Sequence, residues 1–271
     1  MSRLTLTIPL LFFLLFGFAG CKEELKKEEP AESKTTETTV VARTRSGYIK
    51  PEDKYEFPDI SDMNDWGRPG IIKERILALQ VPENVLANIS TAGLLETCLE
   101  FPYNIDILFY DDYQKGFNSV VKNFNGFREL FKRPDLVNVL LDKYSQLTED
   151  VKSVRLLQSI ERGMFSFCTF VLEFMLAQDD VFENLNAEQE RELFLLSLEH
   201  SKIKSDYPDV FGGWHYVSRA LLYAKKTMRD NAAGGYAIEL SDFIKAPLYL
   251  NLNTFNYLED YIKSKFSIVE S

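Results

Sequence analysis

The run from Phe165 to Leu176 is the sequence feature that most constrains the fold. Its polar residues are Ser166, Thr169 and Glu173, and every other position is apolar. This spacing predicts a helix that is apolar on nearly all sides, which a globular domain places at its centre. The run is too short to span a bilayer. We therefore expect the rest of the domain to be built around it.

The chain after Gly70 has apolar residues at three- and four-residue spacing almost throughout, which is typical of helices. Ser90 and Asn186 stand where helix-capping residues are expected. The pattern predicts a single all-α domain of about ten helices packed around the central one, with irregular α-solenoid stacking as one possible arrangement. The helices whose limits are clearest are predicted at residues 71–79, 111–123, 125–132, 135–147, 150–177, 186–204, 214–229 and 254–266.

Composition divides the chain into four parts. Residues 1–20 form an apolar leader, and residues 21–56 are rich in Lys, Glu and Thr, which predicts a solvated tether. Residues 57–70 mix aromatic and turn residues, which indicates an arm packed on the domain. Residues 71–271 form the all-α domain.

The leader has the features of a secretory signal. Arg3 provides a positive charge, Leu4 to Phe18 are mainly apolar, and Ala19 and Gly20 are small residues before a cut site. Because Cys21 follows directly, the segment resembles the lipobox of bacterial lipoproteins. That resemblance implies that Cys21 is acylated and becomes the first residue of the mature chain. It also implies lipid anchorage to a membrane of the cell envelope.

The sequence Lys22-Glu23-Glu24 resembles the lysine-plus-acids signal that sends many Bacteroidetes lipoproteins to the outer face of the outer membrane. The resemblance implies an outer-membrane location with surface exposure. Three charged residues of an ordinary tether are the alternative interpretation.

The net charge of −10 bears on the partners of the domain. An acidic surface repels nucleic-acid phosphates and anionic lipid headgroups. We therefore expect no nucleic-acid partner, and membrane attachment through Cys21 alone.

The segment Ser90 to Lys143 resembles a stretch of uncharacterised secreted proteins from gut-type Bacteroidetes. The motifs that carry this resemblance are packing motifs, so the resemblance implies no particular activity. The residues that carry it are Leu95-Glu96-Thr97-Cys98-Leu99, Phe101-Pro102, Gln114-Lys115-Gly116-Phe117 and Phe124-Asn125-Gly126-Phe127-Arg128-Glu129-Leu130.

Residues that could carry chemistry are few. The two histidines, His200 and His215, belong to no metal-binding motif, so we predict neither a metal site nor a cofactor. Cys98 and Cys168 lie in apolar helical patterns, which favours buried free thiols over a disulfide. No pattern specifies a catalytic residue, and visible acid pairs such as Glu96 and Glu100 suggest a solvated helix face.

One junction is a candidate binding site. Trp214 and His215 follow two glycines where a helix begins, and free backbone N–H groups gather at such positions. Arg219 lies four residues later on the same face. The three residues could form an anion or carboxylate site, and a glycine turn with Trp214 in the core is the alternative.

These observations favour a membrane-anchored lipoprotein whose helical domain binds a protein or glycan partner without catalysis. A hydrolase that uses two carboxylates on a helical scaffold is the alternative, and it requires two acids converging in an open cleft.

Overall fold

The computed structural model describes residues 51–61, 63, 68, 70–211 and 214–266, without the side chains of Lys152, Arg155 and Trp214. The leader, Cys21 and most of the predicted tether lie outside this part of the chain. The described part is all-α, as predicted, and contains no strand.

The described residues form twelve α-helices and three short 3-10 helices. The α-helices are α1 (Ile71–Ala78), α2 (Glu83–Leu86), α3 (Thr91–Leu99), α4 (Tyr113–Asn123), α5 (Asn125–Leu130), α6 (Leu136–Ser153), α7 (Ser159–Leu176), α8 (Asp179–Phe182), α9 (Ala187–Asp206), α10 (Trp214–Arg229), α11 (Ala237–Lys245) and α12 (Leu252–Phe266). The 3-10 helices are Pro102–Phe109, Val154–Leu156 and Gly234–Tyr236.

Helix α7 lies at the centre of the domain, as the apolar run predicts. It packs against α3, α6, α8 and α10, and its residues Thr169 to Leu176 are all buried. The outer helices also pack on one another. Helix α6 packs on α9, and α12 packs on both α9 and α10. The main hydrophobic core therefore surrounds one helix, and a smaller apolar cluster consists of Val151, Val154, Val210 and Phe211.

The prediction of one continuous helix from residue 150 to 177 is wrong. The chain instead leaves α6 after Ser153, passes through a 3-10 turn and starts α7 at Ser159. A cap causes the break, because the Glu161 carboxylate accepts a hydrogen bond from the Gln158 backbone N–H at 2.8 Å. Since apolar periodicity continues across the turn, the pattern alone does not locate the break.

The segment before α1 is held on the surface of α3. Asp53 accepts hydrogen bonds from the backbone N–H and the hydroxyl of Ser90, at 2.6 and 2.9 Å. The Tyr55 N–H donates to the Thr97 hydroxyl at 3.0 Å, and the Phe57 ring packs against the core. The packed arm therefore begins before residue 57, because side-chain hydrogen bonds hold residues whose composition is that of a tether.

Replacing Phe170 with Ala tests the central position of α7. Phe170 is fully buried, and its ring lies 5.5 Å from that of Tyr113 and 5.6 Å from that of Phe174. Loss of a buried aromatic ring should lower the free energy of unfolding by about 3–5 kcal/mol in chemical denaturation. The exposed residue Ile160 is the control, and Ile160→Ala should change stability by less than about 0.5 kcal/mol. A loss below about 1 kcal/mol for Phe170→Ala would contradict the central position.

Candidate functional site

The predicted site residues do not form one surface site. His215 is buried, with Nε2 at 2.9 Å from the Ser166 hydroxyl oxygen and Nδ1 at 3.8 Å from Oε2 of Glu173. The Arg219 guanidinium stacks over the Phe255 ring, 4.9 Å from its centroid. The side chain of Trp214 lies outside the described part. The carboxylate beside His215 is therefore Glu173 of the protein itself.

Glu173 is the centre of a buried polar cluster. Tyr144 donates to Oε1 at 2.9 Å, Ser218 donates to Oε2 at 2.6 Å, and the Lys204 ammonium donates to Oε1. The donors come from α6, α10 and α9, so one carboxylate from α7 joins four helices. A charged residue alone in an apolar run needs such partners, and this isolation is the signal that could have identified Glu173 in the sequence.

Burial and charge set the protonation of the cluster. Burial alone would raise the pKa of Glu173, but the Lys204 ammonium holds that pKa well below its usual range. Burial lowers the pKa of Lys204, and the contact with Glu173 opposes this shift. Burial also lowers the pKa of His215 to about 4 and that of His200 to about 3. At neutral pH both histidines are therefore neutral, and Glu173 is ionised.

Ser166, His215 and Glu173 follow one another in space in the order of a catalytic triad. However, Ser166 is fully buried, and the 3.8 Å separation of His215 from Glu173 exceeds hydrogen-bond length. A serine nucleophile must reach its substrate. In this conformation the arrangement is therefore structural.

Cys98 and Cys168, the two cysteines that the structure describes, are free thiols. Burial raises the pKa of Cys98 well above its ordinary value and that of Cys168 to about 12. The Cys168 thiol donates to the Leu99 carbonyl oxygen at 3.4 Å. Both sulfurs are therefore protonated at neutral pH, which does not favour nucleophilic chemistry.

The acid pair Glu96 and Glu100 does not form the solvated helix face that the sequence suggests. Glu96 is buried and forms an ion pair with Lys143 at 2.6 Å. Glu100 pairs with Lys54 at 2.5 Å. Contacts from α6 and from the arm, which local sequence does not encode, convert both acids into parts of the packing.

Two further acid pairs, Asp111 with Asp112 and Asp179 with Asp180, are contacted by lysines. Asp112 accepts the Lys115 backbone N–H at 2.7 Å and so caps α4, and the Lys115 ammonium lies 3.1 Å from Asp111 and 3.0 Å from Asp112. Asp179 pairs with Lys225. These carboxylates stabilise helix ends and helix packing.

A cleft opens between α3, α6 and α7, on a face of α7 that Glu173 does not occupy. Its volume is about 430 Å³, and most of its wall surface is apolar. Its polar groups include the ion pair of Glu96 and Lys143. The cleft is lined by Glu96, Leu99, Glu100, Lys143, Leu147, Asp150, Met164, Phe165, Cys168, Thr169 and Leu172.

Three large apolar side chains are exposed at the start of α7 and just before it. Leu156 is 87% exposed, Ile160 is 81% exposed and Met164, which also lines the cleft, is 51% exposed. Ile160 and Met164 are four positions apart within α7, so they lie on one side of that helix. We call Ile160 and Met164 the apolar stripe. Together with the cleft it is the candidate functional site, which sequence reasoning missed because α3 and α6 form its other wall.

Among the described residues we find no helix with the length and hydrophobicity that a bilayer crossing requires. The same residues contain no cluster of three or more His, Cys, Asp or Glu side chains placed to hold a metal ion. Models of known protein families, curated proteins and solved structures were compared with this chain, and none of them matches it. Function must therefore be argued from the site.

The buried histidines should make the domain sensitive to acid. Their pKa values of about 4 for His215 and about 3 for His200 lie below the ordinary 6.5, so the unfolded chain binds their protons first as pH falls. Stability is thus lost below pH 6.5, by on the order of 2–3 kcal/mol per histidine at about pH 4.5. Glu173, whose pKa is also depressed, adds a loss in the same direction at lower pH.

Urea denaturation between pH 7 and 4.5 measures this loss. His215→Gln should reduce the slope of unfolding free energy against pH by about half. His215→Gln combined with His200→Gln should nearly abolish the slope above the range where carboxylates titrate. An unchanged slope in the double variant would contradict the assignment of neutral, buried histidines.

Proposed function

We propose that this protein is a lipoprotein, anchored through Cys21 to the outer membrane, whose helical domain binds a partner in the cleft without catalysis. The observation that carries the binding role is the continuity of the apolar stripe with the cleft. Exposed apolar surface of this kind, bordered by charged groups, is typical of interaction sites. The anchor is supported by the lipobox resemblance of residues 18–21 and lies outside the described residues.

A binding role fits the state of the reactive groups better than hydrolysis does. Hydrolysis by two carboxylates needs acids that face each other across an open cleft and contact the substrate. Of the three acids that line this cleft, Glu96 is engaged by Lys143 and Glu100 by Lys54, which leaves Asp150 alone where the reaction needs two acids. The buried Ser166 and the protonated cysteines supply no accessible nucleophile. We therefore place the hydrolase second.

Site-specific photo-crosslinking tests the binding role in the native envelope. A photoreactive amino acid at Ile160 should give a discrete adduct, because the apolar stripe faces the bound partner. Ile238 is a matched control, since it is also 81% exposed but lies on α11, away from the cleft. The same probe at Ile238 should give no such adduct. Failure to form an adduct at Ile160, or equal adducts at both positions, would refute binding through the stripe.

Detergent-phase partitioning in the same strains tests the anchor separately. The wild-type protein should enter the detergent phase, because two or three acyl chains bind a bilayer strongly. Cys21→Ser removes the thiol that carries the lipid, so its cleaved form should enter the aqueous phase. Wild-type protein in the aqueous phase would end the lipoprotein proposal, whatever the outcome of crosslinking.

A further inference from the structure

One carboxylate of the cleft has no cationic partner among the side chains that the structure describes. Glu96 is paired with Lys143, and Glu100 with Lys54. Asp150 accepts a long hydrogen bond of 3.4 Å from the Gln146 amide and pairs with no cation among the described side chains. A partly buried acid beside aliphatic groups favours a cationic partner, since a nearby positive charge stabilises its ionised form.

The apolar part of the site is a groove with the dimensions that packing of a second helix requires. Ile160, Met164, Cys168 and Leu172 follow at four-residue spacing along α7, and this row extends over about 18 Å at a rise of 1.5 Å per residue. Leu99 from α3 and Leu147 from α6 form the facing wall. A groove beside such a row matches the side-chain rows of a second helix of about three turns.

The chemistry of the lining argues against the other occupants. Sugars bind preferentially on exposed aromatic rings, whereas Phe165 is the one aromatic residue among the lining residues and the rest of the apolar wall is aliphatic or sulfur-containing. Anionic lipid headgroups would be repelled by Asp150 and by the overall charge of −10. A helix with an apolar face and a basic residue complements both the apolar row on α7 and the carboxylate of Asp150.

We infer that the partner presents an amphipathic helix whose apolar face lies on the stripe and in the cleft, and whose lysine or arginine pairs with Asp150. This inference rests on the proposed binding function and names the chemical class of its partner. A basic side chain at the edge of the apolar face gives the docked helix one register, because the charge pair forms at a single position.

Two matched peptides test the inference on the full-length protein in detergent micelles. Both are labelled amphipathic helices of about four turns with leucines on one face, and they differ by Lys or Glu at the edge of that face. Fluorescence anisotropy should show that the Lys peptide binds at least about tenfold more tightly than the Glu peptide. Asp150→Asn should reduce this preference to less than about threefold.

Two control variants separate a specific site from general charge and surface effects. Asp180→Asn makes the same charge change at an exposed acid on α8, and it should leave the Lys preference intact. Ile160→Glu should abolish binding of both peptides, whereas Ile238→Glu at the matched exposed position should not. Equal reduction by Asp150→Asn and Asp180→Asn would attribute the preference to net charge and overturn the inference.

The remaining outcomes distinguish the inference from the function on which it rests. Equal affinity of the two peptides, with Ile160→Glu still abolishing binding, would overturn the basic-helix partner and leave a binding cleft. Absence of binding by either peptide would overturn the inference, while the Ile160 adduct tests the cleft independently. A glycan in that adduct, identified by mass spectrometry, would also overturn the inference and leave the proposed binding role.

Discussion

The contact between Glu173 and Lys204 is the interaction on which the rest of the structure depends. Both groups are buried at the junction of α7 and α9, and hydroxyl donors from α6 and α10 complete the coordination of the carboxylate. Removing two charges from water is costly, and the cost is offset only when geometry and hydrogen bonds are good. The central helix can therefore take only the position that brings four helices to one carboxylate.

This constraint also fixes the candidate functional site. A row of residues on α7 from Ile160 to Leu172 forms one wall of the cleft, while Glu173 is bound on another face of the same helix. Because the cluster includes Tyr144 of α6, it sets the spacing of two of the three helices that line the cleft. A preformed groove loses less conformational entropy on binding than one that must assemble. The buried cluster around Glu173 and the surface groove thus lie on different faces of α7.

Much of the fold follows from the sequence, because helix periodicity and caps are local. The limits predicted for the helix at residues 214–229 agree with α10, and Ser90 caps α3 by accepting the Gly93 N–H at 2.9 Å. The break at Ser153 was missed, because apolar spacing continues through it and the cap depends on one carboxylate. The local spacing of apolar residues predicts the helices well but does not predict the breaks between them.

The site was harder to predict, since it depends on contacts between distant segments. The sequence predicts His215 in a binding site with Trp214 and Arg219, whereas its neighbours in the structure, Ser166 and Glu173, lie on another helix far away in sequence. The cleft requires Asp150 and Met164 to meet α3, which no spacing in the chain reveals. For Glu173 the sequence does hold a signal, because an acid in an apolar run indicates a buried partner even though the run does not identify that partner.

A double-mutant cycle on Glu173 and Lys204 tests the central claim most directly. Each single variant, Glu173→Gln or Lys204→Met, leaves one buried charge without its partner and should cost about 3–5 kcal/mol in urea denaturation at neutral pH. The double variant removes both charges, so its cost should fall short of the sum of the single costs by at least about 2 kcal/mol. Single costs that add within about 0.5 kcal/mol would show that the two groups do not depend on each other, and would contradict the account.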